Sequence, residues 1–290
     1  MVTTFAILLG LIIGSFLTVC IYRLPYGREM GPPNWSGDEQ VEAEKQKLAE
    51  HQGDTNRELT LTTPARSICP GCNKQLLWWH NIPLFSWLLL RGRCHFCKVS
   101  ISARYPVVEL LTAVSAWGSV NNFGISPTAL VVFAFCCALI VISFIDYDYY
   151  IIPDVISLPG TLLGLLVGLL NHFTGIFAWP VAPGIWSSLL GVAFGGGLLF
   201  LISEAYFRLR KREGLGMGDV KLLAMTGAFF GIPAAFFTMF VGSLLGSVLG
   251  LFFIVFFRRR MTHELPFGPY LAVGTIIYLF FGQEIGYWRI

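Results

Sequence analysis

Apolar runs dominate the chain, and their lengths fit a bilayer. A membrane-spanning helix needs about 20 mainly apolar residues. Positions 2–22 form the first such run. Others follow at 107–120, 129–145, 155–170, 186–206, 222–230, 234–257 and 270–281. Eight helical crossings are predicted. The sixth is short, and Gly231-Ile232-Pro233 reads as its turn. Little hydrophilic sequence separates it from the seventh, so 222–257 is either two helices or one bent element. No Lys or Arg precedes Arg23 and no small-residue cleavage site is visible, so the first run reads as a retained helix rather than a secretory signal.

Composition agrees with the pattern. Of 290 residues, 55% are hydrophobic and 13% charged, against about 25% charged in soluble domains. A water-soluble globule of this size would lack polar surface. With 25 Phe and 8 Trp, disorder is excluded as well. A net charge of +3 suggests no nucleic-acid partner. The placement of charge says more than its sum. Of the 20 Lys and Arg, eleven lie in 23–104, five in 208–221 and three at Arg258, Arg259 and Arg260. The stretches 121–126 and 172–185 carry no Lys, Arg, Asp or Glu. With eight crossings the positive-inside rule puts all three basic segments in the cytoplasm and both termini outside. Seven crossings would place Arg258–Arg260 outside. The fold class is therefore an all-α polytopic membrane protein of about eight transmembrane helices, with a small cytoplasmic lobe between helices 1 and 2. The domain division is 1–22, 23–104 and 105–290. Within the lobe, 37–57 is polar and reads as a surface helix or loop.

Seven cysteines are present. Cys20, Cys136 and Cys137 lie in apolar runs and read as small buried hydrophobes. The other four form Cys69-Pro-Gly-Cys72 and Cys94-His-Phe-Cys97. Two CxxC pairs at this separation predict a tetrahedral Zn²⁺ site. A reducing cytoplasm argues against disulfides there, and free thiols are the remaining alternative. Four thiolates leave no open coordination position, so the metal is expected to staple the lobe rather than catalyse. His80 and His95 are alternative ligands. The Trp-rich stretch 76–87 reads as lobe core or as a face at the membrane interface.

Carboxylates at the ends of apolar helices are costly and call for a reason. They occur in Ile145-Asp146-Tyr147-Asp148 through Pro153-Asp154, and in Gly216-Met217-Gly218-Asp219-Val220-Lys221. Both segments fall at the cytoplasmic boundary on different helices, so their acids can face each other. Two carboxyls sharing a proton form an acid/base pair suited to peptide hydrolysis. Glycines 214, 216 and 218 allow bending and close approach of an extended peptide, or simply a flexible turn. The segment is neither a Walker A loop nor a dinucleotide fingerprint. Spacing does not fix which acid pairs with Asp219. Asp146 is best placed for desolvation, Asp148 reads as a solvated or tuning neighbour, and Asp154 reads equally well as an N-cap. Glu109 and Glu204, deeper in apolar runs, read as buried structural acids or as members of a polar cavity. No Ser/His/Asp set is apparent.

Several segments together carry a resemblance. They are Gly14-Ser15-Phe16-Leu17, Arg23-Leu24-Pro25, the two CxxC pairs, Asn81-Ile82-Pro83 and Arg104-Tyr105-Pro106-Val107-Val108-Glu109-Leu110. Ile145-Asp146 through Pro153-Asp154, Gly216 through Leu223, and Pro266-Phe267-Gly268-Pro269-Tyr270 complete the set. Over nearly its whole length the chain resembles the bacterial type IV prepilin peptidases, the leader peptidase/N-methyltransferases. The resemblance implies that Asp146 and Asp219 are the catalytic pair. It implies cleavage of a basic leader after Gly, usually before Phe, on prepilins, type II secretion pseudopilins or both, at the cytoplasmic face of the inner membrane. It further implies methylation of the new amine with S-adenosylmethionine, associated with the zinc lobe at 23–104, while 105–290 becomes the peptidase domain. Gly92, just before Cys94, is a loose candidate for the methyl-donor site, and no cofactor fingerprint supports it. The expected partners are these substrates and the lipid bilayer. Rival readings are a presenilin-like protease cutting within helices, a proton-coupled transporter, and a scaffold docking partners through its lobe.

Overall fold

The computed structural model describes residues 2–25, 69, 72, 74–211, 216–257 and 266–284. The described residues are helical, with one isolated antiparallel bridge between Arg93 and Ser100. The stretch 37–57 and the cluster Arg258–Arg260 lie outside them. The helices are α1 Val2–Arg23, α2 Phe85–Leu89, α3 Arg104–Phe123, α4 Pro127–Tyr149, α5 Asp154–Thr174, α6 Ile185–Arg210, α7 Met217–Phe257 and α8 Gly268–Phe281. Five are long and apolar enough to cross a membrane: α1, α4, α5, α6 and Met217–Phe252 of α7.

The chain forms two compact units, Met1–Gly118 with Asp148–Tyr150, and Ser119–Tyr147 with Ile151–Ile290. The boundary between the units falls inside α3. In the first unit α1 packs on α3. A Cβ at Gly10 would sit 2.7 Å from the Ala113 Cα, and one at Gly14 would sit 2.7 Å from the Glu109 Cα. Rising positions on α1 meet falling positions on α3, so the two run antiparallel. Small residues four apart let the backbones approach, as is common between helices in lipid. α3 is less apolar than the five because it turns Glu109 and Thr112 inward, both buried. The Thr112 hydroxyl donates to the Val108 carbonyl at 2.8 Å.

In the second unit one element reverses. Met217–Phe257 would be about 60 Å long if straight, twice the hydrocarbon thickness. At Gly231 the backbone has φ 78° and ψ −173°, which is not helical. A Cβ at Gly195 of α6 would strike the Leu223 carbonyl and touch the Ala235 methyl at 3.2 Å. Residues 223 and 235 would stand about 18 Å apart along a straight helix. Both can flank Gly195 only if the chain turns back between them. The segment 222–257 is therefore two antiparallel helices joined at Gly231-Ile232-Pro233. The first leg runs alongside α5, with Gly160 against Met225 and Gly164 against Ala228. The second leg runs against α8, with the Thr238 and Thr275 hydroxyls 3.0 Å apart. α6 carries a π-helical stretch, Ala193–Leu198, through its three consecutive glycines. The shared core includes Val132, Leu139, Ile142, Leu222, Leu271 and Leu279.

Candidate active site

Two ends can be distinguished in the second unit. At one, the Ala182 N–H donates to the Phe229 carbonyl at 2.8 Å and the Ala178 N–H to the Thr128 hydroxyl at 2.9 Å. At the other lie the last turns of α4 and the first turns of α5, α7 and α8, and here the carboxylates gather. Asp146 is 5% exposed, beside the buried Ile142 and Ile145. Its Oδ2 accepts the Gly268 N–H at 2.8 Å. Asp219 is half-buried in the first turn of α7, with its own N–H donated to the Gly216 carbonyl at 3.1 Å. Asp219 feels the charge of Asp146. Two carboxyls interacting in a partly desolvated site hold one proton between them more readily than none. Such a pair can take a proton from water with one member and give a proton to a carbonyl with the other.

The neighbouring acids have other partners. Asp154 pairs with Lys221 Nζ at 2.6 Å. It occupies the first turn of α5 with Pro153 in the N-cap position and no side-chain cap bond, so the N-cap reading of Asp154 is corrected. Asp148 accepts from the Arg104 guanidinium at 2.7 Å. Glu204 is only partly buried, its side chain 40% accessible, and it pairs with Arg208 at 2.7 Å one turn on, so it is not a buried acid. Glu109 is buried, and its Oε2 accepts the Leu84 N–H at 2.8 Å. That bond fastens the described part of the lobe to α3. The Leu84 and Gly268 donors are backbone groups, which a side-chain pattern does not display. A hint of the second lies in Pro269, since a proline in the first turn marks a helix start with free N–H groups.

In the lobe the four cysteine sulfurs lie within 4.8 Å of one another. Cys69 Sγ and Cys97 Sγ are 3.7 Å apart. A tetrahedron with Zn–S bonds of about 2.3 Å has edges of about 3.8 Å, so the arrangement fits that ion. Two tight turns create it, with the Cys69 N–H donating to the Lys74 carbonyl at 3.0 Å and the Cys94 N–H to the Val99 carbonyl at 2.8 Å. Burial pushes the Cys94 thiol up, but the N–H groups of Cys97 and Phe96 and the thiols of Cys69 and Cys97 pull it down to about 7. Thiolate, the metal-binding form, is thus favoured. His80 and His95 are not part of this cluster. The His80 Nδ1 accepts the Leu77 N–H at 3.3 Å, and its ring stands against Trp79, His95 and Phe96. Gly92 has φ 65°, and a Cβ there would lie 3.0 Å from the Trp87 ring. Glycine suits this turn, which a side chain would crowd against the indole.

With this geometry in place, comparison with known proteins gives a consistent result. The model described as Bacterial Peptidase A24 N-terminal domain matches residues 8–123, and that of the Type IV leader peptidase family matches residues 133–251. A prepilin leader peptidase/N-methyltransferase of Burkholderia pseudomallei strain 1026b is 38% identical over 280 residues, covering 96% of this chain and 85% of that one. The chain belongs to the type IV leader peptidase family. Proteins of the same name from Pseudomonas putida and Pseudomonas aeruginosa are 37% and 36% identical, covering 97% and 96% of this chain and 91% and 90% of theirs. No solved structure matches. The Asp146 and Asp219 helices and the hairpin at Gly231 fall within the second family match, and the cysteine cluster within the first.

Proposed function

We propose that the protein is a prepilin leader peptidase and N-methyltransferase of the bacterial inner membrane. It removes the basic leader from type IV prepilins or pseudopilins at a Gly–Phe-type bond, then methylates the new amine. The reading is supported by the family match and by the gathering of Asp146 and Asp219 at the same end of the second unit.

Asp146 and Asp219 are the catalytic acids. Water attacks the scissile carbonyl while one carboxyl takes its proton and the other protonates the carbonyl oxygen. The substrate's apolar segment lies in the bilayer and its basic leader stays in the cytoplasm, which brings the bond to the boundary where the pair sits. Eight crossings are supported by the reversal at Gly231, which makes two legs of α7, and by the antiparallel packing of α1 and α3. The cytoplasmic side is assigned to the carboxylate end, where Arg208, Arg210, Lys211 and Lys221 cluster near helix termini. The domain division is 1–22 as the first helix, 23–104 as the lobe and 105–290 as the peptidase.

Cys69, Cys72, Cys94 and Cys97 would hold Zn²⁺, which supplies a structural clamp to a lobe with little core of its own. S-adenosylmethionine is the methyl donor the family resemblance implies. Gly92 is a loose candidate for its site, and no step is assigned through it.

The reading is tested by incubating purified enzyme in detergent with a prepilin and following the leader by mass spectrometry. Asp146→Asn and Asp219→Asn should each lose cleavage. Full activity in either would overturn the assignment. A cut inside the apolar segment rather than at a boundary Gly would favour the presenilin-like alternative.

A further inference from the structure

The two acids are alike in type but not in surroundings. Asp146 has a backbone donor fixed on it, the buried Gly268 N–H on Oδ2 at 2.8 Å. Glycine makes this approach easy. A Cβ at position 268 would lie 2.8 Å from the same oxygen and 3.1 Å from the carboxyl carbon, so the Asp146 carboxyl would have to shift to admit one. Gly268 opens α8 and Asp219 sits in the first turn of α7, so helix dipoles favour negative charge at both acids and the difference lies in the donated bond. Among the described residues, none donates a hydrogen bond to the Asp219 carboxyl. The nearby cation Lys221 is committed to Asp154.

A hydrogen bond donated to a carboxylate favours its ionised form. We propose that Gly268 divides the labour of the pair: its N–H holds Asp146 ionised as the general base and leaves the shared proton on Asp219, the general acid. The proposal rests on the reading of these two residues as the catalytic pair. Gly268 is a positioning residue, acting through Asp146.

The proton accounting closes. With Oδ2 held by Gly268, Oδ1 of Asp146 takes a proton from water as the water oxygen bonds to the scissile carbon. Asp219 gives its proton to the carbonyl oxygen, forming a neutral gem-diol. On collapse the C–N bond breaks, Asp146 passes its proton to the leaving nitrogen, and Asp219 recovers one from a gem-diol hydroxyl. One water is consumed and both carboxyls return to their starting states.

The charged and titratable surroundings of Asp146 are few. Asp219 interacts with it from α7. Tyr147 and Asp148 follow it on α4, the latter bound by Arg104. Tyr270 stands on α8, where it interacts with Tyr147.

The test is the pH dependence of kcat for prepilin cleavage in wild type, Gly268→Ala and Gly274→Ala. The second variant crowds α8 against Thr238, 3.0 Å from its carbonyl, without touching Asp146. Gly268→Ala should lower kcat and move the acid limb upward by about one pH unit, the scale of one lost backbone donor. Gly274→Ala should leave the limb in place. An unmoved limb in a folded Gly268→Ala enzyme overturns the proposal, as does an equal shift in Gly274→Ala.

A second measurement does not depend on Gly268→Ala folding. The carboxyl left in Asp146→Asn and in Asp219→Asn is titrated by infrared difference spectroscopy against the double variant. Asp219 should keep its proton to higher pH than Asp146, and the reverse order overturns the proposal. If the single Asn variants still cleave, the catalytic pair itself is wrong. If they are inactive and the limb or the order fails, only the role of Gly268 is wrong.

Discussion

Asp146 and Asp219 are carried by short polar punctuation at the ends of apolar helices, and that is where sequence reasoning could find them. Chain spacing could not pair them, because they stand 73 positions apart with two helices, α5 and α6, between them. Family resemblance supplied the choice, and the fold brings the last turn of α4 and the first turns of α7 and α8 to one end of the second unit. Replacing either with Asn keeps shape and removes proton transfer, so kcat should fall by about 10²–10⁴-fold or more, with Tm unchanged or raised, as scanning calorimetry in detergent would show. The exposed Lys221–Asp154 pair is a different case, with side chains 29% and 57% exposed. Solvent screening leaves such a pair about 0–1 kcal/mol. Lys221→Ala should therefore shift Tm by less than about 4 °C. A larger loss would mean that the pair bears on the folding of α5 against α7. Asp154 looked like an N-cap because it follows Pro153. The partner that explains it lies 67 positions away, beyond any local signal.

At the scale of elements, each of the eight apolar runs became helix. The run at 222–257 was ambiguous because a turn within lipid-compatible sequence needs no charged loop, only a residue that tolerates φ of 78°. Gly231→Ala should cost about 1–3 kcal/mol through that backbone conformation alone, and more because a Cβ would lie 2.6 Å from the Ser187 hydroxyl. A lowered Tm with retained helix content in circular dichroism would be the expected sign. The π-helical turn at Ala193–Leu198 was not legible, since three glycines in an apolar run have no single meaning. The CxxC pairs were fully legible, because ligand spacing encodes the turn that aims the thiols. Metal analysis should find about one Zn²⁺ per chain. A chelator should expose the lobe to protease at neutral pH. Protons compete with the ion for thiolates. Retention should be firm at neutral pH and above and be lost as acid protonates the thiolates. Zinc loss that rose with pH would contradict the site.

For the molecule as a whole, membrane character was readable from 13% charge and the run lengths. The reversal of α7 was legible only as a candidate turn at Gly231-Ile232-Pro233. Independently of it, the succession of α4, α5 and α6 puts 124–126 and 175–184 at one end and 208–211 at the other. Single cysteines introduced at Gly124, Gly175 and Lys211 in intact cells should show this. A membrane-impermeant thiol reagent should label the first two from outside and spare the third. Labelling of Lys211→Cys from outside would reverse the orientation. The central claim is one chain with two successive activities on one substrate. Its most direct test is intact-mass analysis of a purified prepilin incubated with this protein, with and without S-adenosylmethionine, beside the two Asn variants. The account predicts loss of the leader after Gly in both wild-type samples, an added methyl on the new amine only with the donor, and neither change with Asp146→Asn or Asp219→Asn. A cut without a methyl in the presence of donor would contradict the transferase half. An uncut prepilin that a known peptidase cleaves would contradict the whole.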